Sequence, residues 1–449
     1  MIGGGLAGLC SAYELRRLGF RVTLIESRSR LGGRVHSIRK PFLNGQHAEA
    51  GATTISDTHD LTLHYANEFC LNLLPLTSRG QSDSYYLKDR LLTDVQRPGT
   101  AWPLKLTDEE HALGLVGMLK KYVGPGVMLC GDPDAPNWPS NQAASFDKMT
   151  LCNVMKSNGA SVDAIKLLRM GYFDLWGDGA DACSALMLLR DIARRGREKA
   201  SFSIEGGNDR LPHAFAHHLS DSILLRAKVT RIDTCRNKAA VTVECNGETI
   251  NHNADRVICT IPFSVLGSVE FLPDLPSILR NAITDLPYAS ISRTYIQTAH
   301  SLLPDNANSV TTDLPIMFAE NATANQKGAT QITESYTAGE NARVFVSMSN
   351  DERIESVLTN IYRFKARSAD NILAATSECW DADPNNKGAF SWFKPEQLLR
   401  YRNLPSVYRN IYFAGEHMSS WPGYMQGALQ SARKVVDEIN KVSGQNAFP

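Results

Sequence analysis

Residues 1–26 read MIGGGLAGLCSAYELRRLGFRVTLIE, and this stretch decides the fold. Gly3, Gly5 and Gly8 have the spacing GxGxxG, and the apolar residues after them recur at the three- to four-residue spacing of a helix. A short apolar strand follows and closes on Glu26. A strand, a glycine turn, a helix and a second strand with an acidic end form the βαβ unit that binds dinucleotides.

Each part of this pattern has a physical task in holding a pyrophosphate. The first glycine permits a tight turn, the second lets the backbone approach the phosphates, and the third lets the helix pack closely on the strand. The helix N-terminus adds free N–H groups and a partial positive charge. Glu26, 18 residues after Gly8, is placed to accept the ribose hydroxyls. The residues that we predict to bind the nucleotide here are Gly3, Gly5, Leu6, Ala7, Gly8, Glu26, Ser27 and Arg28.

The strand before the first glycine is short. Only Met1 and Ile2 precede Gly3, whereas a strand usually has about 5–6 residues. We therefore expect the recorded start to lie inside the true first strand, and a chain that begins here to bind its cofactor less tightly. No signal peptide is expected, because the sequence opens directly on the glycine motif.

The composition argues against several classes of protein. Lys and Arg together number 47, as do Asp and Glu, and the net charge of zero argues against nucleic-acid binding. Hydrophobic residues make up 43% and charged residues 21%, which favours two or three packed lobes over disorder. The most apolar run, 113–130, is interrupted by Lys120 and Lys121, so we expect no membrane span.

The nine cysteines indicate a reducing compartment. Their number is odd, none forms a CxxC pair, and none lies with histidine at zinc-binding spacing. We therefore expect free and mostly buried thiols, a cytoplasmic protein and no metal site.

Two further glycine motifs follow the Glu26 strand: LGGR at 31–34 and EAGA at 49–52. With these motifs the sequence resembles the flavin-containing amine oxidase family, which includes monoamine, polyamine and L-amino acid oxidases. The cofactor contacts that the resemblance implies here are Gly33 and Arg34 at the pyrophosphate and Gly51, Ala52 and Thr53 in a turn against the flavin ring.

The C-terminal part of the chain makes the resemblance specific. NIYFAGE at 410–416 is a strand, a glycine turn and a carboxylate, and WPGYMQGA at 421–428 leads into a helical apolar stripe. In the middle, EGGNDRLP at 205–212 and DRVICTIP at 255–262 are similar to further family segments. The contacts implied by these segments are the Val229 backbone at the adenine, Gly415 and Glu416 at the ribityl chain or phosphate side, and Tyr424 and Met425 at the flavin.

The predicted fold class is α/β (α+β): a Rossmann-like FAD-binding domain with an inserted substrate domain of mixed sheet and helices. The FAD-binding domain is expected to be discontinuous and to use residues 1–57, 200–262 and 405–440. The substrate-binding domain is expected to use 58–199 and 263–404, and 441–449 forms a C-terminal tail. Within the substrate domain, 58–199 and 351–374 are predicted to be mostly helical, and 285–298 and 342–349 alternate like strands. Substrate is expected between the two domains.

The resemblance also implies a chemistry. FAD would accept a hydride from an amine or amino acid, the imine would hydrolyse, and dioxygen would reoxidise the flavin with release of hydrogen peroxide. In this family an aromatic cage often aligns the neutral amine in a dry pocket. The matching residues are Tyr424 in the GYMxGA element and Phe390 in GAFSWF at 388–393, with Trp392 and Trp421 as further candidates. Ala389 stands where some members attach FAD through a cysteine, so the FAD is expected to be non-covalent.

Two positions depart from the family pattern. Arg293 stands where many family oxidases place a lysine that holds a water near the flavin. An arginine keeps its proton, so its expected role is to orient a water, raise the flavin's electron affinity or bind a substrate carboxylate. L-amino acid oxidases place a carboxylate-binding arginine soon after the EAGA-like turn, where this chain has TTIS at 53–56. We predict Tyr424, Phe390 and Arg293 as the catalytic residues and leave the substrate open between amines and amino acids.

The histidines His36 and His417 follow the LGGR and FAGE motifs and are expected to be structural or to bind the cofactor by a hydrogen bond. A role as general base is the minority interpretation for both.

Two alternative functions stay open. One is an FAD-dependent desaturase or protoporphyrinogen-oxidase-like enzyme, which would need a long apolar tunnel and no aromatic cage. The other is a flavin-binding protein without catalysis. The expected partners are a small amine or amino acid and dioxygen, with no nucleic acid, and the oligomeric state stays open with a homodimer as one option.

Overall fold

The computed structural model describes residues 1–76, 84–93, 95, 97, 99–236, 238–366 and 372–444. Residues 445–449 of the predicted tail and residues 367–371 of the predicted helix over 351–374 lie outside the described residues.

Helices and strands are mixed along the described chain, with a run of helices over residues 108–195. The helices are α1 Leu6–Arg17, α2 Asp60–Glu68, α3 Asp108–Tyr122, α4 Gly124–Cys130, α5 Asn141–Ala144, α6 Leu151–Ser157, α7 Val162–Leu168, α8 Ala185–Arg195, α9 Arg210–His217, α10 Phe263–Leu266, α11 Ser277–Asp285, α12 Gly339–Val344, α13 Asn350–Ile361, α14 Gln397–Tyr401 and α15 Met425–Val442. The strands are β1 Leu24–Ile25, β2 Ser37–Ile38, β3 Ala48–Glu49, β4 Ile55–Ser56, β5 Leu73–Pro75, β6 Ser84–Leu87, β7 Arg90–Thr93, β8 Ser201–Ile204, β9 Ile223–Leu224, β10 Ala227–Asp233, β11 Ala239–Cys245, β12 Glu248–Ala254, β13 Val257–Cys259, β14 Glu270–Leu272, β15 Ile291–Thr298, β16 Ser309–Thr312, β17 Phe318–Asn321, β18 Gln331–Ala338, β19 Ile372–Cys379, β20 Val407–Tyr408 and β21 Ile411–Phe413.

The nucleotide lobe is built on a small sheet whose strands come from both ends of the chain. Ile2 lies between β1 and β13, where it bridges Ile25 and Cys259 in parallel register. Its N–H donates to the Ile258 carbonyl at 2.8 Å. β9 extends the sheet beyond β1, and β21 and β20 extend it beyond β13. The segment before Gly3 is therefore short, as predicted, and Ile2 still occupies the centre of the sheet.

The first and last long helices pack against each other beside this sheet. Helix α1 is buried from Leu6 to Leu15, because α15 and α9 cover it. The carboxylate of Glu14 lies inside this interface and pairs with Arg433 of α15 at 3.1 Å. The apolar stripe predicted on α15 joins the same core through Met425, Leu429 and Ala432.

A four-stranded sheet, in the order β12-β11-β10-β14, adjoins the nucleotide lobe. Its inner strand β11 pairs in antiparallel register with β10 and β12. β14 pairs with β10 in parallel register, although residues 270–272 fall in the segment predicted for the substrate domain.

The substrate lobe contains a mixed seven-stranded sheet in the order β19-β15-β18-β17-β16-β6-β7. β15 lies between β18 and β19 and is buried along its whole length. The strand predicted over 285–298 is confirmed from Ile291 onward. Segment 58–199 contains helices α2 to α8, as predicted, and also strands β5 to β7, which the prediction of a mostly helical segment missed.

The strand predicted over 342–349 is wrong. α12 and the 3₁₀ turn after it occupy the segment. Val344 and Val346 are 59% and 38% exposed, whereas Ala342 and Phe345 are buried. Two buried residues three positions apart have the helical period, so the short alternation of valines did not indicate a half-buried strand.

The helix predicted over 351–374 is confirmed in its first half and wrong at its end. Ser349 begins α13 with a capping box, because its hydroxyl accepts from the N–H of Glu352 while the Glu352 carboxylate accepts from the N–H of Ser349. The helix ends at Ile361, and β19 begins at Ile372.

One segment of the described chain, Asp108–Cys130, is long and apolar enough to cross a membrane by length and composition. It bends at Gly114, where φ is 62°, and α4 begins as a separate helix at Gly124. Leu115 and Met118 pack into the largest hydrophobic core. Core helices of soluble proteins meet the same criteria of length and composition.

Candidate active site

A single cavity of about 470 Å³ runs along both ends of the chain and the mixed sheet. Its size is typical of a small-molecule site. The predicted site residues on its wall are Gly3, Gly5, Leu6, Ala7, Glu26, Ser27, Arg28, Gly33, Arg34, Gly51, Ala52, Thr53, Val229, Arg293, Phe390, Gly415, Glu416, Tyr424 and Met425. The opening glycines and the Glu416 turn therefore face one space.

Among the described residues predicted to bind the cofactor, Gly8 alone does not lie on this wall. A Cβ at Gly8 would lie 2.0 Å from the Gly3 carbonyl oxygen, so this glycine serves the close packing of α1 on the turn. Gly3 itself has φ of 101°, a left-handed conformation that favours glycine. Gly5 precedes α1 without a side-chain cap, so the helix N-terminus opens into the cavity.

Glu26 is held in place by backbone donors. The N–H of Gly4 donates to one carboxylate oxygen at 2.6 Å, and the N–H of Arg28 donates to the other at 2.8 Å. The side chain is 6% exposed and still reaches the cavity wall. Its position at the end of β1 is the one that the βαβ pattern predicts for a ribose acceptor.

Arg34 and Glu416 form a buried ion pair between the two ends of the chain. Arg34 Nη1 donates to Glu416 Oε1 at 2.8 Å and to the Ala389 carbonyl at 2.9 Å. The remaining acceptor positions of Glu416 receive the N–H and hydroxyl of Ser391 and the N–H of Gly423. Burial raises the pKa of Glu416, but Arg34 and the other donors outweigh it and hold that pKa below its ordinary value. The predicted contacts of this pair with the cofactor stay predictions, and they would add to the bonds already formed.

The turn predicted against the flavin ring is fixed by three buried side chains. Arg293 Nη1 and the Tyr295 hydroxyl each donate to the Glu49 carbonyl at 2.7 Å. Trp380 Nε1 donates to the Ala50 carbonyl at 2.8 Å. A Cβ at Gly51 would lie 1.8 Å from the Arg34 carbonyl oxygen, so the turn requires glycine there.

Tyr424 and Phe390 stand on the same cavity, and a third aromatic side chain joins them. The ring of Trp176 lies 5.7 Å from each of the two rings, centroid to centroid. Sequence reasoning missed Trp176, because it lies in a turn of the helical segment with no motif around it. It follows a π-helical turn at 169–173, an irregularity that is common at functional sites.

The two predicted cage residues are held by the elements around them. The Tyr424 hydroxyl donates to Asp191 Oδ1 at 2.6 Å. Burial, followed by the Asp191 charge, raises the pKa of Tyr424 well above its ordinary value, so the phenol stays neutral. The Phe390 carbonyl accepts from the N–H of Ala289 at 2.8 Å, and the ring packs on Gly423.

Trp392 and Trp421 lie behind the cavity wall in the described chain. Trp392 is 1% exposed and belongs to the largest hydrophobic core. Trp421 packs its edge against Tyr424 and carries Arg194 over its face at 3.9 Å. Both support the site by packing, and neither lines it.

Arg293 is a buried cation with a carboxylate partner. Its Nη1 lies 3.5 Å from Glu334 Oε1, and its guanidinium lies 4.7 Å from the centre of the Tyr336 ring. Burial lowers the pKa of Arg293, but Glu334 outweighs that effect and raises it above its ordinary value. The side chain therefore stays protonated beside the cavity.

Among the described residues, neither His36 nor His417 lines the cavity. Burial lowers the pKa of each to about 4, so both are neutral near pH 7. His59, which sequence reasoning missed, does line it. Its Nδ1 accepts from the N–H of Ser56 at 3.2 Å, which leaves the proton on Nε2, and Nε2 has no hydrogen-bond partner in the described chain.

The nucleotide end of the cavity fits FAD. Two helix N-termini without side-chain caps, those of α1 after Gly5 and α15 after Tyr424, open on it and favour a pyrophosphate or another electron-rich group. Glycines line the approach, which leaves room for the backbone to contact the phosphates. No group of three metal-binding side chains occurs in the part of the chain that the structure describes.

Comparison with known proteins agrees with this geometry. The family model of flavin-containing amine oxidoreductases matches residues 6–440. A putative L-amino-acid oxidase, YobN, of Bacillus subtilis is 31% identical, over 98% of this chain and 94% of that protein. An L-amino-acid oxidase of Echis ocellatus is 23% identical, over 99% of this chain and 89% of its own length.

Solved structures show the same fold. Putrescine oxidase bound to putrescine superposes with a TM-score of 0.80 at 18% identity, over 98% of both chains. Cyclohexylamine oxidase from Brevibacterium oxydans superposes with a TM-score of 0.78 at 18% identity, over 99% of this chain and 98% of that one.

The fold and the matched length define an FAD-dependent oxidoreductase that acts on amines. The chain belongs to the flavin-containing amine oxidoreductase family. The predicted family, fold class, enzyme class and cofactor are thereby confirmed.

Proposed function

We propose that this enzyme oxidises the amino group of a small amine or amino acid to an imine, which water then hydrolyses. When bound, FAD would accept the hydride, which carries both electrons, while the amine nitrogen loses a proton; dioxygen would then take two electrons and two protons to give hydrogen peroxide. The protein's own part is to bind, orient and desolvate the amine.

One observation carries this proposal: Tyr424, Phe390 and Trp176 stand on the cavity that also holds the glycine turns. Aromatic faces attract the polar N–H and C–H groups of an amine and exclude water around it. A desaturase acting on a long apolar substrate would not need such a cluster of rings.

The polar and charged side chains of the site are suited to orienting ligands by their charge and hydrogen bonds, and not to accepting a proton from the substrate. Arg293 is paired with Glu334 and stays protonated, so it can orient a water or a negative charge but cannot accept a proton. The Tyr424 hydroxyl donates a hydrogen bond to Asp191 and keeps its proton. The substrate amine is therefore expected to bind in its neutral form.

The relatives support both substrate classes. Two relatives that match nearly the whole chain are named L-amino-acid oxidases. The neighbours in fold are oxidases of putrescine and cyclohexylamine.

We also propose a cytoplasmic location, non-covalent FAD, no membrane span and no nucleic-acid partner, with a homodimer as one option for assembly. Nine cysteines, all free, support the reducing compartment. Ala389 beside Phe390 supports the non-covalent attachment. Cell fractionation, acid release of the flavin and light scattering test these points separately.

The central experiment is an anaerobic titration of the flavin-loaded protein with amines and L-amino acids, followed by a peroxide-coupled assay in air. Bleaching of the flavin band by one of these substrates supports the proposal. A yellow protein that no amine or amino acid bleaches would favour the desaturase alternative. A protein that stays colourless in excess FAD would favour neither enzyme.

A further inference from the structure

Arg195 differs from the other arginines on the cavity wall. Arg28 is paired with Asp383, Arg34 with Glu416 and Arg293 with Glu334. Arg195 makes no hydrogen bond or ion pair through its side chain with any residue that the structure describes. Its guanidinium lies 5.3 Å from the centre of the Trp176 ring.

The carboxylates nearest to Arg195 do not form an ion pair with it. Asp191, one turn earlier on α8, accepts the hydroxyl of Tyr424 instead. Glu198 stands on the same wall beyond the helix end. Burial opposes the charge of Arg195, but Tyr424, Asp191 and Glu198 outweigh it and raise its pKa. Arg195 is therefore a protonated side chain on the cavity wall.

Arg195 is exposed at the end of α8 and lines the cavity, so its guanidinium is open to a ligand there. Because no carboxylate pairs with it among the described residues, this cation is free to bind an anion that enters the cavity. A guanidinium offers two parallel N–H donors, which match the two oxygens of a carboxylate. The ligand that would complete this site is therefore one that carries a carboxylate.

The position of Arg195 relates that carboxylate to the amine. The Trp176 ring lies 5.3 Å from the Arg195 guanidinium and 5.7 Å from the rings of both Tyr424 and Phe390. In an α-amino acid the carboxylate and the amino group share one carbon. A carboxylate held by Arg195 therefore keeps the amino group near the aromatic cage.

We propose that Arg195 binds the carboxylate of an α-amino acid substrate and so makes amino acids, rather than simple amines, the preferred substrate class. This inference rests on the amine oxidation proposed above. It also explains how the chain can lack an arginine after the EAGA turn: Thr54 and Ser56 lie on the same wall as Arg195, which comes from α8.

The test compares amino acids with the amines that lack only the carboxylate. L-leucine is paired with 3-methylbutylamine and L-phenylalanine with 2-phenylethylamine. Wild type should show a higher kcat/KM for the amino acid of at least one pair. Arg195→Met should lower the ratio of the two kcat/KM values about 100-fold, as expected when a charged hydrogen-bonded pair is lost. Arg195→Lys should restore part of that ratio.

Arg197→Met is the matched control. It removes a positive charge two residues further on, where Arg197 pairs with Asp132 at the surface. The proposal is overturned if wild type prefers the amines in both pairs, or if Arg195→Met lowers kcat/KM equally for both members of a pair.

A binding measurement decides the role of Arg195 independently of turnover. Benzoate should bind the flavin-loaded wild type and shift its absorbance, and Arg195→Met should raise the benzoate Kd about tenfold or more. An equal Kd in both proteins overturns the proposal. If neither amines nor amino acids bleach the flavin, the proposed function fails, and the benzoate measurement still decides whether Arg195 binds a carboxylate.

Discussion

Arg34 and Glu416 are 382 positions apart in the sequence, yet they form a hydrogen bond of 2.8 Å. Neither residue would be stable alone in this buried place, because an unpaired charge there costs several kcal/mol. Glu416 also accepts hydrogen bonds from the N–H groups of Ser391 and Gly423, which are the chain neighbours of Phe390 and Tyr424. The ion pair between Arg34 and Glu416 thus helps to hold the segments that carry Phe390 and Tyr424 next to each other.

The Tyr424 ring, more than its hydroxyl, is expected to govern the rate of amine oxidation. Tyr424→Leu removes the ring and should slow anaerobic flavin reduction about tenfold, which corresponds to an aromatic interaction of about 1.4 kcal/mol. Tyr424→Phe keeps the ring and loses only the bond to Asp191, so its loss should be smaller. Stopped-flow absorbance of the flavin measures both, and equal rates for the two variants would contradict the cage.

Arg293→Lys is predicted to raise the rate at which dioxygen reoxidises the reduced flavin. A lysine in this place could shift its pKa and hold a water, whereas the buried arginine stays protonated and paired with Glu334. Stopped-flow mixing of the reduced protein with oxygenated buffer measures this rate. Arg343→Lys, at a surface ion pair with Asp178, is the control, and an unchanged reoxidation rate in Arg293→Lys would show that this side chain does not act on the flavin.

At the scale of elements, the glycines of the opening turn have separate tasks. Gly8 is needed because α1 packs on the turn, since a Cβ there would lie 2.0 Å from the Gly3 carbonyl oxygen. Gly5 has φ of −76°, and nothing lies within 4 Å of where its Cβ would be. Protein packing therefore leaves room for a side chain at Gly5, and only the cofactor would fill that space.

Two alanine variants separate packing from cofactor binding. Gly8→Ala should displace α1 even without FAD. The free energy of unfolding should fall by about 1–3 kcal/mol, the usual cost of overpacking. Gly5→Ala should leave the apoprotein about as stable as wild type and weaken FAD binding. Urea unfolding of the apoproteins and fluorescence titration with FAD measure the two effects. A Gly5→Ala protein that binds FAD like wild type would place the pyrophosphate elsewhere.

Elements that carry a motif could be predicted from the sequence. Prediction failed where a pattern was short, and where a residue reaches the site only through contacts with residues distant in the sequence. The GxGxxG turn and the apolar stripe of α15 could be predicted, because a tight glycine turn and a helix face each require a fixed residue spacing. The valines around 345 alternate over too few residues to distinguish a strand from a helix. Trp176 and Arg195 join the site only through the folding of 169–195 against Tyr424, a contact that no local pattern records.

At the scale of the whole molecule, buried neutral histidines link stability to pH. Burial lowers the pKa of His59 and His417 to about 4, below the ordinary value of 6.5. The unfolded chain therefore binds more protons between these values, so stability is complete above about pH 6.5 and falls as the pH drops toward 4. Each histidine should cost about 2 kcal/mol at pH 5 relative to pH 7.5.

Urea unfolding at pH 7.5 and pH 5 measures this loss. His59→Gln and His417→Gln should each reduce the difference between the two pH values, because glutamine does not titrate. His64→Gln, at an exposed position on α2, is the control. The same pH dependence in all three variants and wild type would contradict the assignment.

The central sheet has a consequence for how the protein is made. Ile2 lies between β1 and β13, and β13 lies beside β21 at 411–413. A ribosome that adds about 5–20 residues per second needs roughly 20–80 s to reach that last strand. Until then the cavity wall lacks the Glu416 turn and the start of α15, so the contacts that both ends of the chain would make with FAD can form only once the final helix has emerged. A nascent chain that stalls before residue 411 would thus be unable to load its cofactor, however well its first domain segment had collapsed.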